Sequence, residues 1–202
     1  MALSRQESKE RTHGRLIRGT LKVLLEDGPG SLTTGRIAKA AGVAQPTFYV
    51  HFSDMDDALN QAASWVEGRL NERLRESRKS IVLGSPLETV RSAFKQSVQG
   101  MVQEPGLTTL FLRHRRDFSS PLGRRFADIH RKAQNGLMRD LQSMGITEAM
   151  VPDLSVHAQL LTAMTLSVVE GILDETIEDP ESCYDSIARM AIRATDGWSG
   201  AS

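Results

Sequence analysis

Residues 33–52, TTGRIAKAAGVAQPTFYVHF, decide how this chain is read. The stretch holds a proline and several β-branched residues, and its last five positions carry three aromatics and a histidine. A buried strand is one reading; the punctuation favours two short helices. Thr33 or Thr34 suits the start of a helix, because a hydroxyl there can accept a hydrogen bond from an otherwise unpaired backbone N–H. Ile37, Ala38 and Ala41 follow at helical spacing, and Gly42 ends the run. A second short helix begins at Gln45-Pro46, since proline is at home in a first helical turn. Phe48 and Phe52 lie four apart, so they share a face and can anchor that helix to its neighbours. Val43 plugs the turn, and the small Ala38 and Ala41 let helices cross closely. Helix, tight glycine turn and second helix make the pattern of a helix-turn-helix.

Working outward, helical periodicity dominates. Ile17, Leu21, Leu24 and Leu25 predict a helix over residues 7–27, stopped by Gly28-Pro29-Gly30. Ser53 and Asp54 can cap a long fourth helix that runs into residues 73–79, before Gly84-Ser85-Pro86. Further helices are expected over 87–103, 107–115, 121–143, 151–175 and 180–197. The breaks between them are Glu104-Pro105-Gly106, residues 117–120, Gly145 with Pro152, and Glu178-Asp179-Pro180. The fold class is therefore all-α with about nine helices. Residues 1–53 are expected to form one three-helix domain, 54–84 a connecting fourth helix, and 85–202 a second helical domain.

The composition agrees with a folded chain. Forty per cent of the 202 residues are hydrophobic, enough for a core. The single Cys183 allows no disulfide framework, which fits a reducing compartment. The polar start does not resemble a signal peptide, and no apolar run reaches the ~18 residues of a membrane span. A cytoplasmic protein with no membrane partner is expected. Net charge is zero, yet residues 1–52 hold eight Lys/Arg against four acids, and the rest of the chain is acidic to the same extent. A basic module on an acidic body points to a polyanion as partner.

Several enzyme-like signals fail on spacing. Residues 28–35, GPGSLTTG, lack the GK[ST] ending of a phosphate loop and follow no strand. His130 and His157 have no companions at metal-ligand spacing. His114, Asp117, Ser119 and Ser120 form no nucleophile arrangement. No enzymatic activity, metal or cofactor is expected.

The residues left outside the anchor positions suit DNA. Gln45 can bond base edges, and Thr47, Tyr49 and His51 can bond phosphates. Pro46 and Val50 offer apolar contact to thymine methyls. Thr33 and Thr34 can bond phosphate at the second helix's N-terminus, with Gly35 and Arg36 beside them. Residues 11–60 resemble the DNA-binding domain of TetR-family transcriptional repressors. The resemblance rests on Ile17, Leu21, Leu24-Leu25-Glu26-Asp27-Gly28, Leu32-Thr33-Thr34, Ile37-Ala38, Ala41-Gly42-Val43, Thr47-Phe48-Tyr49-Val50-His51-Phe52 and Ala58-Leu59. It implies that Gln45, Pro46, Tyr49 and Val50 face bases, while Thr34, Thr47, Tyr49 and His51 face phosphates. Two departures stand out. Gly35 replaces a larger residue of several relatives. Ser53-Asp54-Met55-Asp56 lacks the usual lysine phosphate contact, which shifts the expected charge contribution to Arg5, Lys9 and Arg11 in an N-terminal arm, or to Arg36.

The second domain is less specific. Leu154, Leu161, Met164, Val168 and Ile172 make one helix face; Ile187, Met190, Ala191 and Ala194 make another. Both suit a four-helix homodimer interface, or equally an internal core stripe. Phe94, Val98, Met101, Phe111, Phe118, Phe126, Leu137 and Met164 can line an apolar tunnel beside His130. Arg113 and Arg116 can receive an anionic head group, or the same residues form a core stripe and a solvated basic face. Residues 85–145 resemble the FabR- and DesT-type branch of the family, which regulates fatty-acid synthesis or desaturation and senses long-chain acyl thioesters. The chain is thus expected to be a homodimeric, ligand-responsive repressor of a pseudo-palindromic operator, with an apolar or amphipathic effector such as an acyl-CoA. The alternatives are a regulator of efflux or catabolic genes answering to an unrelated hydrophobic compound, and an all-α enzyme using residues 113–117.

Overall fold

The computed structural model describes residues 4–143, 151 and 153–196. It is all-α, with the helices α1 (Arg5–Asp27), α2 (Thr34–Ala41), α3 (Pro46–His51), α4 (Met55–Arg78), α5 (Pro86–Val102), α6 (Pro105–His114), α7 (Pro121–Ser143), α8 (Leu154–Leu173) and α9 (Pro180–Asp196). One 3-10 turn, Pro29–Ser31, lies between α1 and α2. Six of the chain's seven prolines are the first residue of a helical element, where the missing N–H costs nothing. Pro105 is one of them, so α6 starts two residues before the expected 107 and the Pro-Gly pair lies inside the helix. Asp153 caps α8 by accepting a bond from the Val156 N–H, so this helix starts at Leu154 instead of 151. Ser4 with Glu7, and Ser85 with Glu88, form reciprocal capping boxes on α1 and α5.

The chain divides into two compact units. One comprises residues up to Gly68 together with Arg113–Ala127; the other comprises Arg69–Leu112 and the residues from Asp128 onward. The divisions fall inside α4, α6 and α7, away from the expected limits at residues 53 and 84.

The first unit is built on α1, α2 and α3. Leu16, Ile37 and Phe48 are fully buried, and Phe52 nearly so. α1 meets α2 at Gly19, where an added Cβ would stand 2.9 Å from the Ile37 carbonyl oxygen and 3.1 Å from the Ala41 nitrogen. Only a glycine lets the two backbones come this close. The buried Thr20 beside it returns its hydroxyl to the Leu16 carbonyl, 3.0 Å away, and so leaves no polar atom unpaired.

In the second unit α5 packs against α8 and α9, which also touch one another. Arg91 of α5 bonds Asp185 and Glu181 of α9, and Lys95 reaches the same Glu181. Arg69 and Arg73 share Glu104 at 2.5 and 3.0 Å. This packing corrects the expected dimer residues. Leu161, Val168, Ile187 and Ala191 are buried inside the single chain, so they form the core stripe that was the other reading of the pattern. Ile172 is half-buried, Met190 is exposed, and the Ala194 side chain lies outside the described residues. The exposed apolar positions of α8 are Val156 and Leu160. α8 is, by length and mean hydropathy, apolar enough to cross a membrane, although Gln159, Thr162, Thr165, Ser167 and Glu170 interrupt its apolar run.

Candidate nucleic-acid interface

The turn between α2 and α3 sets the geometry of the outward face. Gly42 takes the left-handed conformation (φ 64°, ψ 39°), in which a side chain is strained. Its N–H reaches back to the Lys39 carbonyl, and the Val43 N–H bonds the Ala38 carbonyl at 2.9 Å. These bonds close α2 and redirect the chain within two residues. Arg15 of α1 donates to the Gly42 carbonyl at 2.7 Å, so α1 holds the turn as well as the helix before it.

α3 is then fixed by its aromatic side. The Phe48 and Phe52 rings lie 5.1 Å apart, and His13 of α1 packs on Phe52 at 5.2 Å. With those positions committed inward, Tyr49 and Val50 stand 59% and 68% exposed. Gln45 and Pro46 are exposed, Thr47 and His51 half-buried. The set expected to meet DNA therefore lies on α3 and the turn before it, turned away from the core. The valine has no folding reason to be outside.

At the start of α2, Thr33 caps the helix by accepting from the Arg36 N–H. Thr34 accepts a bond from the Gln45 side-chain amide at 2.9 Å, joining the first turn of α2 to the entry of α3. Gly35 lies beneath that amide: a Cβ added there would sit 3.6 Å from Gln45 Oε1. Arg36, one of the expected phosphate contacts, is tied to Asp27 at 2.6 Å. The pairing has a local cause, because an aspartate in the last turn of α1 faces the negative helix end and needs a cation. Arg5, Lys9 and Arg11 belong to α1 and are not part of an extended arm, because the Ser4–Glu7 box starts the helix before them.

His51 lies beside His13, ring centres 5.7 Å apart. Partial burial, with His13 and Lys9 adding like charge, holds the His51 imidazole below its ordinary value. The neutral ring is thereby favoured in the free protein. The sequence pattern gave no role to His13, Arg15 or Gly19, and Asp27 entered only through the resemblance. Lys9 and His13 are one turn apart on α1, a spacing that marks one face, but it does not say that α3 lies against it.

The expected effector residues are divided between the two units. Phe94, Val98 and Met101 are buried on α5, and Phe111 meets His130 edge-on at 6.4 Å, all in the second unit with Leu137 and Met164. Arg113, Arg116, Phe118 and Phe126 belong to the first unit. Phe126 is fully buried there, whereas Phe118 is 67% exposed and lines no enclosed tunnel. Asp117 gathers the loop after α6 by accepting from the Ser119 N–H and the hydroxyls of Ser119 and Ser120, which lowers its pKa to about 2. Arg124 donates to the Phe118 and Ser119 carbonyls, and Arg125 pairs with Glu67 at 3.0 Å. Arg124 therefore holds this loop and Arg125 ties α7 to α4, while Arg113 and Arg116 stay exposed. Among the described residues no group of three or more His, Cys, Asp or Glu is placed to hold a metal.

Residues 16–62 match the model of the bacterial regulatory proteins of the tetR family. This segment is similar to the tetR-family helix-turn-helix. The chain is 27% identical over 104 residues to the HTH-type transcriptional regulator AcrR of Shigella flexneri, an alignment covering 52% of this chain and 48% of that one. The match thus spans about half the length of this curated relative. Among solved structures, a transcriptional regulator from Rhodococcus sp. Rha1 is similar over 91% of this chain and 97% of its own, with a TM-score of 0.66 and 22% identity. The regulator FadR of Bacillus subtilis, solved in complex with stearoyl-CoA, is similar over 90% of this chain and 98% of its own, with a TM-score of 0.65 and 17% identity. At these identities the likeness is one of fold: a tetR-type head followed by a helical C-terminal domain.

Proposed function

We propose that the chain is a homodimeric transcriptional regulator that grips duplex DNA with α3 and the first turn of α2. The observation that carries the reading is the split of α3 into a buried aromatic side, Phe48 and Phe52, and an exposed side holding Gln45, Pro46, Tyr49 and Val50. An apolar and hydrogen-bonding set exposed together on a short helix suits a groove that offers base edges and thymine methyls. Thr33, Thr34, Thr47 and His51 supply phosphate contacts around it, with Lys9 on the flank. Arg36 contributes less charge, since Asp27 already neutralises it.

One copy of such a head reads few base pairs, and twofold pairing doubles the site. The exposed Val156 and Leu160 of α8 and Met190 of α9 are the surface we assign to a second copy. The effector is an apolar or amphipathic molecule held among α5, α6 and α7, with a long-chain acyl thioester as the leading class. The buried Phe94, Val98, Met101 and Phe111 support it, as does the fold shared with a regulator solved on stearoyl-CoA. An effector changes operator affinity only by its preference for one of two conformations.

The test is fluorescence anisotropy of the full chain on duplexes enriched from a random library, with and without added palmitoyl-CoA. Sequence-dependent binding is expected, with a shift in affinity when the acyl-CoA is present. Equal affinity for enriched and scrambled duplexes would reject the regulator; unchanged affinity with no bound acyl-CoA would reject that effector alone.

A further inference from the structure

Gln45 occupies the position before α3 at which a side chain ordinarily caps the helix, yet it caps nothing. Its amide instead reaches to the first turn of α2, where Nε2 donates to Thr34 Oγ1 at 2.9 Å. The bond spans eleven residues of sequence and joins the exposed Gln45 to the half-buried Thr34 on the proposed reading face. Its net worth to folding is small, since water can serve the glutamine amide when the bond is open.

The bond does have a consequence for chemistry. A glutamine amide carries a donor and an acceptor that exchange places when it turns over. The Thr34 hydroxyl can bond either end of the amide and here accepts from the nitrogen, so it anchors the group; the sense comes from α2, over whose first turn Oε1 lies, 3.6 Å from a Cβ placed on Gly35. The N-terminus of a helix favours a carbonyl oxygen over an amino group. Gly35 keeps the space beneath the amide open, where even a Cβ would already stand in contact, 3.6 Å from Oε1.

We propose that Thr34 is a specificity-positioning residue: it anchors the Gln45 amide against the first turn of α2, whose N-terminus favours the oxygen, and so limits that side chain to one orientation of an A·T pair. The remaining Nε2 hydrogen and Oε1 stand side by side and match the N7 acceptor and N6 donor of adenine in the major groove. A free amide presents either order and reads the pair with less discrimination. Glycine at 35 belongs to the same device.

The inference rests on the DNA-binding reading, and its test separates the two. The full chain and its Thr34→Val, Thr34→Ser, Gln45→Ala and Thr34→Val/Gln45→Ala variants are each used to enrich binders from a duplex library with a randomised twenty-base-pair window. Thermal unfolding is recorded for every variant, since a merely structural role would move that midpoint. The wild type is expected to prefer adenine about tenfold at one position of each half-site, the range of a bidentate base contact. Thr34→Val and Gln45→Ala should both lose most of that preference at the same position. The double variant should lose no more than either, and Thr34→Ser, which keeps the hydroxyl, should retain it. If Thr34→Val keeps the preference that Gln45→Ala loses, the positioning role is overturned while DNA reading stands. If the wild type enriches nothing, the DNA reading falls and this inference with it.

Discussion

Two glycines hold the first unit together for opposite reasons. Gly19 is needed for its lack of bulk: an alanine there puts a methyl 2.9 Å from the Ile37 carbonyl, and a backbone atom cannot swing aside. Gly42 is needed for its dihedrals, because its left-handed conformation costs other residues about 1–2 kcal/mol. Gly19→Ala is therefore expected to destabilise the chain by about 1–3 kcal/mol, the usual range for overpacking. Gly42→Ala should cost about 1–2 kcal/mol and also disturb Arg15, whose Nη2 would lie 2.8 Å from the new methyl. Urea unfolding of both variants measures this; wild-type midpoints would contradict it. Gly42 was legible because it ends an apolar pattern. Gly19 was not, because its reason is a carbonyl on another helix that no local pattern announces. His51 gives a pH prediction at the same scale. Its value in the folded chain is lowered, chiefly by burial, so the neutral ring is favoured. The stability it contributes is complete above the ordinary imidazole value of about 6.5 and is lost as pH falls through the folded value. Calorimetry between about pH 5 and 8 should show a steeper acid-side loss for the wild type than for His51→Gln. Parallel profiles would mean that His51 is not the group responsible.

Helix limits were largely readable because each is set by residues adjacent in sequence. Proline at a first position, a serine or aspartate cap and a glycine stop act within one turn. Pro105-Gly106 reads as a break, yet proline opens α6 there. The function of the segment after α6 was harder to read, since a basic run looks alike whether it binds a ligand or its own backbone. Here Arg124 and Arg125 are engaged within the chain, and Asp117 gathers the loop with both serines. Gly123 closes it from the other side: an added Cβ would lie 1.7 Å from the Asp117 carbonyl oxygen. Asp117→Ala is expected to lower the thermal midpoint and expose the connection around residues 115–121 to limited proteolysis. Asp117→Asn, which keeps one acceptor for the Ser119 N–H, should do so less. The ionised Asp117 contributes above its ordinary carboxylate value of 3.8, and that contribution fades as pH falls toward about 2. Neutral-pH differences between the variants and wild type should therefore shrink in strong acid. Equal proteolysis rates for all three proteins would show that the loop is held by other contacts.

Assembly is the scale at which sequence pattern said least. α8 has apolar residues on more than one side, and the one stripe that periodicity picks out suits an interface and a core equally. Burial resolves what lies inside one chain: Leu161 and Val168 are core, while Val156 and Leu160, together with Met190 of α9, are left on the surface. A glutamate at Leu160 meets water in a lone chain but would be buried in the proposed dimer. A glutamate at Leu161 is buried in either case, at a cost that a marginally stable fold does not tolerate. Leu160→Glu is thus expected to keep its helical content and thermal cooperativity yet sediment as a monomer, with operator affinity falling at least tenfold as the second half-site is lost. Leu161→Glu should instead lose helical signal and aggregate. Sedimentation equilibrium with circular dichroism distinguishes the two. A Leu160→Glu protein that remains dimeric at micromolar concentration would move the interface off this face of α8, leaving the exposure of Val156 and Leu160 to be accounted for by another partner.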